Sequence, residues 1–134
     1  MAYLAAALAS ASIGAMLFFS AIVAPTAFRA LPSDEAAGFV RALFSTYFLV
    51  NGLAGLIAAA LVFPAFAGAL LFLGGGALIA LRLLVVPAIN AARDASLAGD
   101  SKAKASFKRW HRLSVLVNVA AIVLYAAGVW SLGR

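Results

Sequence analysis

Long apolar stretches, separated by short polar segments, dominate the chain from its first residues. Four stretches of about twenty residues each lie at about residues 2–24, 42–63, 65–86 and 111–132, and they carry almost no charge. At a rise of about 1.5 Å per residue, about 20 residues cross the ~30 Å hydrocarbon core of a bilayer. Because lipid offers no partner to backbone N–H and C=O groups, each stretch is predicted to be an α-helix. The fold class is therefore an all-α membrane protein, a four-transmembrane-helix bundle built as two hairpins.

The ends of these stretches coincide with residues that interrupt helices. Pro25, Pro64 and Pro87 each stand at the end of an apolar stretch, and proline lacks the N–H that a continuing helix needs. We therefore expect the first helix to end near Pro25 and the third before Pro87, with polar connections after them. Ser33 follows Pro32 and is a candidate N-cap for the second helix.

Composition agrees with a single integral membrane domain over residues 1–134. Hydrophobic residues make up 66% of the chain and charged residues only 10%, with a mean hydropathy of +1.11. Soluble chains carry about 25% charged residues, so this surface suits lipid better than water. The chain has no cysteine, which excludes disulfides and thiolate metal sites. The net charge of +6 comes from residues at the ends of the spans, so no nucleic-acid partner is expected.

The distribution of Lys and Arg predicts the orientation. Eight cations lie in the first and third connections, and Arg134 alone lies on the opposite face. The positive-inside rule places both connections in the cytoplasm and both termini on the non-cytoplasmic side of the cell (inner) membrane. The segment before the fourth span is also expected to contact lipid headgroups. Its contacting residues would be Lys102, Lys104, Lys108, Arg109, Trp110 and Arg112.

Polar side chains inside the spans form two stripes. Tyr47 and Asn51 share one face of the second helix, and His111, Ser114 and Asn118 share one face of the fourth. We expect the two stripes to meet in a polar intramembrane seam. Hydrogen bonds that hold helices together are one interpretation, and a path for a ligand or an ion is the other.

Two single residues raise separate questions. Arg82 is the only charged residue embedded in a span, whereas Arg112 stands at the start of one. We expect Arg82 to snorkel to the cytoplasmic interface, with pairing to a carboxylate as the alternative. His111 is the only histidine, and next to Trp110 and Arg112 it is expected to anchor its helix at the headgroup boundary. No cofactor or metal is expected, although haem or metal binding by His111 stays open as a hypothesis.

Small residues and short recurrences suggest how the helices pack. Gly74–Gly76 in the third span and the Ser10/Gly14 pair in the first favour close helix contacts, and a local break at the glycine run is the alternative. The triplet Val23–Pro25 recurs as Val85–Pro87. This recurrence indicates an internal parallel repeat about an axis along the membrane normal, and chance is the other explanation.

Three segments together resemble a known group of proteins. They are Phe18–Pro25 followed by Phe28, then Phe44-x-x-Tyr47, then His111-x-x-Ser114-x-x-x-Asn118. The chain resembles small bacterial four-span proteins known only as a domain of unknown function, a group similar to the eukaryotic transmembrane protein 205, which is associated with resistance to platinum drugs. The resemblance implies a fold and a membrane location, without an agreed activity.

Three functional hypotheses follow. The first is a small transporter or channel-like protein that acts as a homo-oligomer, and the second is a non-catalytic accessory subunit of a larger membrane complex. The third is the haem- or metal-binding role of His111. We do not expect an enzyme, because all four carboxylates lie outside the spans and no nucleophile–base set is apparent.

Overall fold

Four long helices, joined by two or three residues each, make up the whole fold. The computed structural model describes all 134 residues. The helices are α1 (Ala2–Ala30), α2 (Ser33–Val62), α3 (Phe66–Leu97) and α4 (Ser101–Leu132). Each packs antiparallel on the next, and α4 returns to pack on the first half of α1. The predicted all-α bundle is confirmed, with α1 diagonal to α3 and α2 diagonal to α4.

Two of the helices continue through prolines that were expected to end them. A five-residue π-helical segment precedes each proline: Phe19–Val23 in α1 and Leu81–Val85 in α3. Pro25 and Pro87 then occupy the second position of the α-helical segment that follows. A π turn is wider than an α turn, which moves away the carbonyl that the proline ring would otherwise meet. The prediction that α1 ends near Pro25 and α3 before Pro87 is therefore wrong.

The two π segments lie at the same distance before their prolines. They occur in α1 and α3, which run in the same direction through the bundle. This shared feature agrees with the parallel repeat expected from the sequence, which stays a prediction.

The connections are shorter than expected. Only Leu31 and Pro32 separate α1 from α2, and Pro32 stands at the N-cap position without a side-chain hydrogen bond. Ser33 is the first residue of α2, so its predicted role as the N-cap is wrong. The turn between α2 and α3 contains Pro64, preceded by a cis peptide bond.

The connection between α3 and α4 has the cap that the first connection lacks. Gly99 adopts a φ of +97°, a conformation that suits glycine, and reverses the chain. Asp100 then caps α4, since its Oδ1 accepts hydrogen bonds from the backbone N–H groups of Lys102 and Ala103 at 2.8 and 3.3 Å.

The helices are longer than a bilayer is thick. Each has 29 to 32 residues, and at about 1.5 Å per residue such a helix measures roughly 45 Å against a hydrocarbon core of ~30 Å. The turn at Pro64 is apolar, whereas the polar residues lie at the end with the Leu31–Pro32 and Ala98–Asp100 connections, which we name the basic end. Large apolar side chains such as Phe72 and Leu116 are about 60% exposed along the bundle. The chain is a multi-pass membrane protein whose surplus length lies at the basic end.

Glycines set the distance between α2 and α3. A Cβ atom added to Gly75 would lie 2.8 Å from the carbonyl oxygen of Gly52, because the two backbones nearly touch there. The helix runs without interruption through Gly74–Gly76, so the glycine run serves close packing rather than a break. The Ser10/Gly14 pair behaves differently: nothing lies within 4 Å of an added Cβ at Gly14.

Candidate functional site

A hydrogen-bonded seam joins the diagonal helices α2 and α4 in the middle of the bundle. The Tyr47 hydroxyl donates to Oδ1 of Asn118 at 2.9 Å. Nδ2 of Asn51 donates to the Tyr47 carbonyl of its own helix at 2.8 Å. The structure thus brings together three of the five residues expected in the seam, one from α4 and two from α2.

The seam contains a fourth residue that the sequence analysis missed. The hydroxyl of Tyr125, which is fully buried, donates to the Asn51 carbonyl at 2.7 Å. Its ring lies between two glycines: an added Cβ at Gly74 would be 2.6 Å from Cε1 of Tyr125, and one at Gly55 would overlap the hydroxyl. Tyr125 lies seven residues after Asn118, on the same face of α4, so the spacing already carried this signal.

The other two residues expected in the seam lie nearer the basic end. The Ser114 hydroxyl donates to the His111 carbonyl at 2.8 Å, within α4. The His111 ring stacks on Phe107, with ring centroids 5.9 Å apart. The expectation that His111 and Ser114 belong to the seam is corrected, because their side chains line a cavity instead.

This cavity has a volume of about 290 Å³ and lies between all four helices at the basic end. Its size is near the lower limit of ligand pockets, which measure roughly 300–1,000 Å³. Nine of the sixteen lining residues are hydrophobic, and four of these are phenylalanines: Phe28, Phe44, Phe48 and Phe107. The polar and charged lining residues are Ser20, Arg41, Asn90, Arg93, His111 and Ser114.

The cavity lies where a gap opens between α1 and α4. The first half of α1, up to Phe18, packs on both α2 and α4, but Ala24–Ala30 packs on α2 and leaves α4. The cavity is lined from the α1 side by Ser20, Ala24 and Phe28, and from the α4 side by Phe107, His111 and Ser114. The divergence begins at the π segment of α1.

Positive charges outnumber negative charges around the cavity. Arg41 donates to Asp94 through two hydrogen bonds of 2.6 and 3.1 Å, and this ion pair links α2 to α3. The Arg41 guanidinium lowers the pKa of the Asp94 carboxyl, which lies on the polar end of α3 beyond the apolar span. No carboxylate lines the cavity. The side chains of Asn90 and Arg93 are half-buried and that of His111 is exposed, and none of the three makes a hydrogen bond within the protein. The lining therefore offers unused donors and a net positive charge.

Arg82 adopts an arrangement that the sequence did not suggest. Its Nε donates to the Ser45 carbonyl of α2 at 3.2 Å, and the side chain is half-buried. The one ion pair of the chain joins Arg41 to Asp94, so Arg82 pairs with no carboxylate. Arg82 therefore binds the neighbouring helix backbone rather than extending freely to the interface.

The basic segment at the start of α4 lies on the surface of the basic end. Trp110 is half-buried, and the Arg109 guanidinium lies 5.6 Å from the centroid of its ring. The remaining cations of the segment are exposed to the surroundings: Lys102, Lys104, Lys108 and Arg112.

A multi-ligand metal centre has no counterpart here. The structure contains no group of three or more His, Cys, Asp or Glu side chains that could hold a metal ion. His111 offers a single imidazole at the cavity.

One protein family matches the chain, a domain of unknown function (DUF4149), over residues 7–98. The chain belongs to this family. The DUF4149 match includes most of α1 and all of α2 and α3, whereas His111, Asn118 and Tyr125 lie beyond it. No curated protein matches the chain, and no solved structure matches it. Membership in a family of unknown function is confirmed, but the expected likeness to transmembrane protein 205 is not shown.

Proposed function

We propose that this DUF4149 protein binds a small molecule in the cavity at its basic end. One observation carries the proposal: an aromatic-lined space of about 290 Å³ is bordered by the side chains of Asn90, Arg93 and His111, which make no hydrogen bond within the protein. Donors that converge on an apolar space without using their hydrogen bonds inside the protein are typical of ligand pockets. The cavity lies where the helices pass from the apolar spans to their polar ends, so the ligand is bound near the membrane surface.

Filling the cavity tests this proposal. Ala24 lines the space from α1, and the variant Ala24→Phe would occupy it with a benzyl group. The matched control is Ala7→Phe, on an exposed position of the same helix outside the cavity. Native mass spectrometry of protein released from phospholipid nanodiscs should show a retained small molecule for wild type and Ala7→Phe, and none for Ala24→Phe. Equal retention by all three proteins contradicts the proposal.

Transport of the bound molecule is a second candidate function, supported by the position of the seam. The hydrogen bond between Tyr47 and Asn118 lies about one helical turn deeper in the bundle than Phe44 and Ser114 of the cavity lining. An alternating-access transporter binds its substrate between its helices and opens contacts on either side of the site in turn, and the seam would be such a contact. Transport would require opening of the seam or a pathway shared within a homo-oligomer.

A flux measurement separates transport from binding alone. Vesicles loaded with carboxyfluorescein, a small anionic dye, should lose it in the presence of wild-type protein. Asn118→Leu removes the hydrogen bond that must open and should therefore accelerate the loss while the protein still folds. Wild-type vesicles that retain the dye and carry no potassium chloride current would argue against transport without affecting ligand binding.

The accessory-subunit hypothesis now depends on a smaller surface. Gly74 and Gly75 pack inside the bundle and are not open to a partner. Of the small residues considered, only the exposed Ser10/Gly14 pair remains available. A complex with a foreign subunit would bury this pair, and gentle detergent extraction with mass spectrometry of the co-purified chains tests it.

We also propose that the basic end faces the cytoplasm of the inner membrane, with both termini on the other side. The proposal is supported by the eight cations in the terminal polar segments of that end against Arg134 at the other. The absence of native cysteine makes a labelling test simple. An impermeant maleimide added to whole cells should label Ala65→Cys and spare Leu97→Cys, and the reverse pattern would invert the orientation.

A further inference from the structure

We propose that the ligand of the cavity is an anionic lipid, which enters sideways from the surrounding leaflet between α1 and α4. Its phosphate binds beside Arg93 and His111, and the first part of one acyl chain lies among the aromatic side chains. This inference rests on the proposed ligand-binding function and adds the class of ligand and its route.

The charge of the lining selects an anion. Arg41 is already neutralised by Asp94, through two hydrogen bonds. Arg93 lines the same space without an ion-pair partner, beside the unused donors of Asn90 and His111. A guanidinium forms two parallel hydrogen bonds with a phosphate. In a zwitterionic headgroup the nearby cation offsets the attraction between that phosphate and Arg93, whereas an anionic headgroup keeps its full negative charge.

The remaining lining residues are apolar and favour a hydrocarbon chain in the ligand. Phe28 and Phe107 stand on either side of the gap, and Phe44 and Phe48 continue the apolar lining from α2. A free phosphate ion would leave these aromatic faces in contact with water. A molecule with an anionic group and a hydrocarbon chain would satisfy both kinds of lining.

The volume and the gap together indicate how such a molecule binds. At about 30 Å³ for each water-sized group, the cavity holds about ten such groups, fewer than a whole phospholipid contains. The rest of the lipid must therefore lie outside, and the separation of Ala24–Ala30 from α4 leaves an opening on the side of the bundle. Trp110, a residue type that concentrates at membrane interfaces, precedes His111 directly and places the cavity near headgroup depth.

A competition between two lipids tests the proposal. The protein is reconstituted in nanodiscs with equal amounts of phosphatidylglycerol and phosphatidylcholine that carry the same chains, and the lipids retained after release are counted by native mass spectrometry. Wild type should retain phosphatidylglycerol about tenfold in preference, because its headgroup keeps the net negative charge that choline cancels in phosphatidylcholine. Arg93→Gln should remove most of this preference, and Arg93→Lys should keep part of it. The control Arg29→Gln removes one exposed cation outside the cavity and should leave the preference unchanged.

Each of the following outcomes would refute a different part of the proposal. Equal retention of both lipids by wild type, lost in Ala24→Phe, refutes the anionic class and leaves the binding function standing. Retention of decyl phosphate added from water, with no retained phospholipid, refutes the leaflet as the source. An equal loss of preference in Arg29→Gln and Arg93→Gln means that the general basic surface attracts the lipid and that the cavity does not. Retention unaffected by Ala24→Phe refutes the cavity as the site and the proposed function with it.

Discussion

Gly75 and Gly76 are neighbours on α3 with opposite surroundings, which makes them a matched pair for measuring how closely α2 and α3 must approach. A Cβ atom at Gly75 would lie 2.8 Å from the Gly52 carbonyl oxygen and 2.9 Å from the Leu56 nitrogen. Both atoms belong to the backbone of α2 and cannot move by a change of rotamer. At Gly76, an added Cβ meets nothing within 4 Å.

The two alanine substitutions should therefore differ in their effect on the free energy of unfolding. Both gain the same helix propensity, at most about 1 kcal/mol relative to glycine. Gly75→Ala must also push α2 and α3 apart, and overpacking of this kind costs about 1–3 kcal/mol. Separation would in addition weaken the contacts around Tyr125, which packs against the adjacent Gly74. We expect Gly76→Ala to leave the free energy of unfolding unchanged or to raise it slightly. The free energy of unfolding of Gly75→Ala should be about 2 kcal/mol lower than that of Gly76→Ala.

Reversible unfolding in mixed micelles gives the required free energies. The protein is titrated with increasing mole fractions of sodium dodecyl sulfate, and the circular dichroism at 222 nm and the tryptophan fluorescence are followed. The difference between the two variants is the quantity of interest, because it cancels the propensity gain. Equal unfolding free energies for Gly75→Ala and Gly76→Ala would refute the close approach of the two backbones.

Three further outcomes follow from single contacts. Tyr125→Phe removes the donor to the Asn51 carbonyl but keeps the ring, so the same titration should show a loss of about 1 kcal/mol, and no loss would contradict the hydrogen bond. Asp100→Ala removes the cap of α4, so hydrogen exchange of its first amides should accelerate about fivefold, a cap being worth about 1 kcal/mol. The pKa of Asp94 is lowered from its ordinary value of 3.8, so its pairing with Arg41 is complete above that pH and is lost as the pH falls below it. Spin-label distances between α2 and α3 should therefore change only in that acidic range, and Asp94→Asn should abolish the pH dependence.

Hydrophobicity alone predicted the number of helices and their arrangement in two hairpins, because lipid permits few alternatives for an apolar stretch of this length. It did not predict where the helices end. Pro25 and Pro87 carry the usual signal for a helix end, and nothing in the residues before them distinguishes a π segment from an α turn. The polar residues around Arg29 and Arg93 were expected in connections for the same reason, although helical backbone continues through both.

The candidate site was predictable only where it depends on spacing within one helix. The stripe that contains Asn118 predicted a partner for Tyr47 on α2, and the structure shows that bond. Tyr125 continues the stripe but lies among apolar residues, and its burial depends on glycines of two other helices. The cavity was not predictable from any single helix, because it arises where α1 turns away from α4.

The π segments bear on how the length of the chain can vary. Each contains about one residue more than an α-helix would place over the same rise. A protein of this family with one residue fewer between Phe19 and Val23 would return to a regular α-helix there, with Phe28 still directed at the same neighbours. Single-residue gaps in an alignment of relatives are therefore expected inside α1 and α3, next to the prolines. Moving such gaps into the connections between helices would misalign the residues that face the cavity.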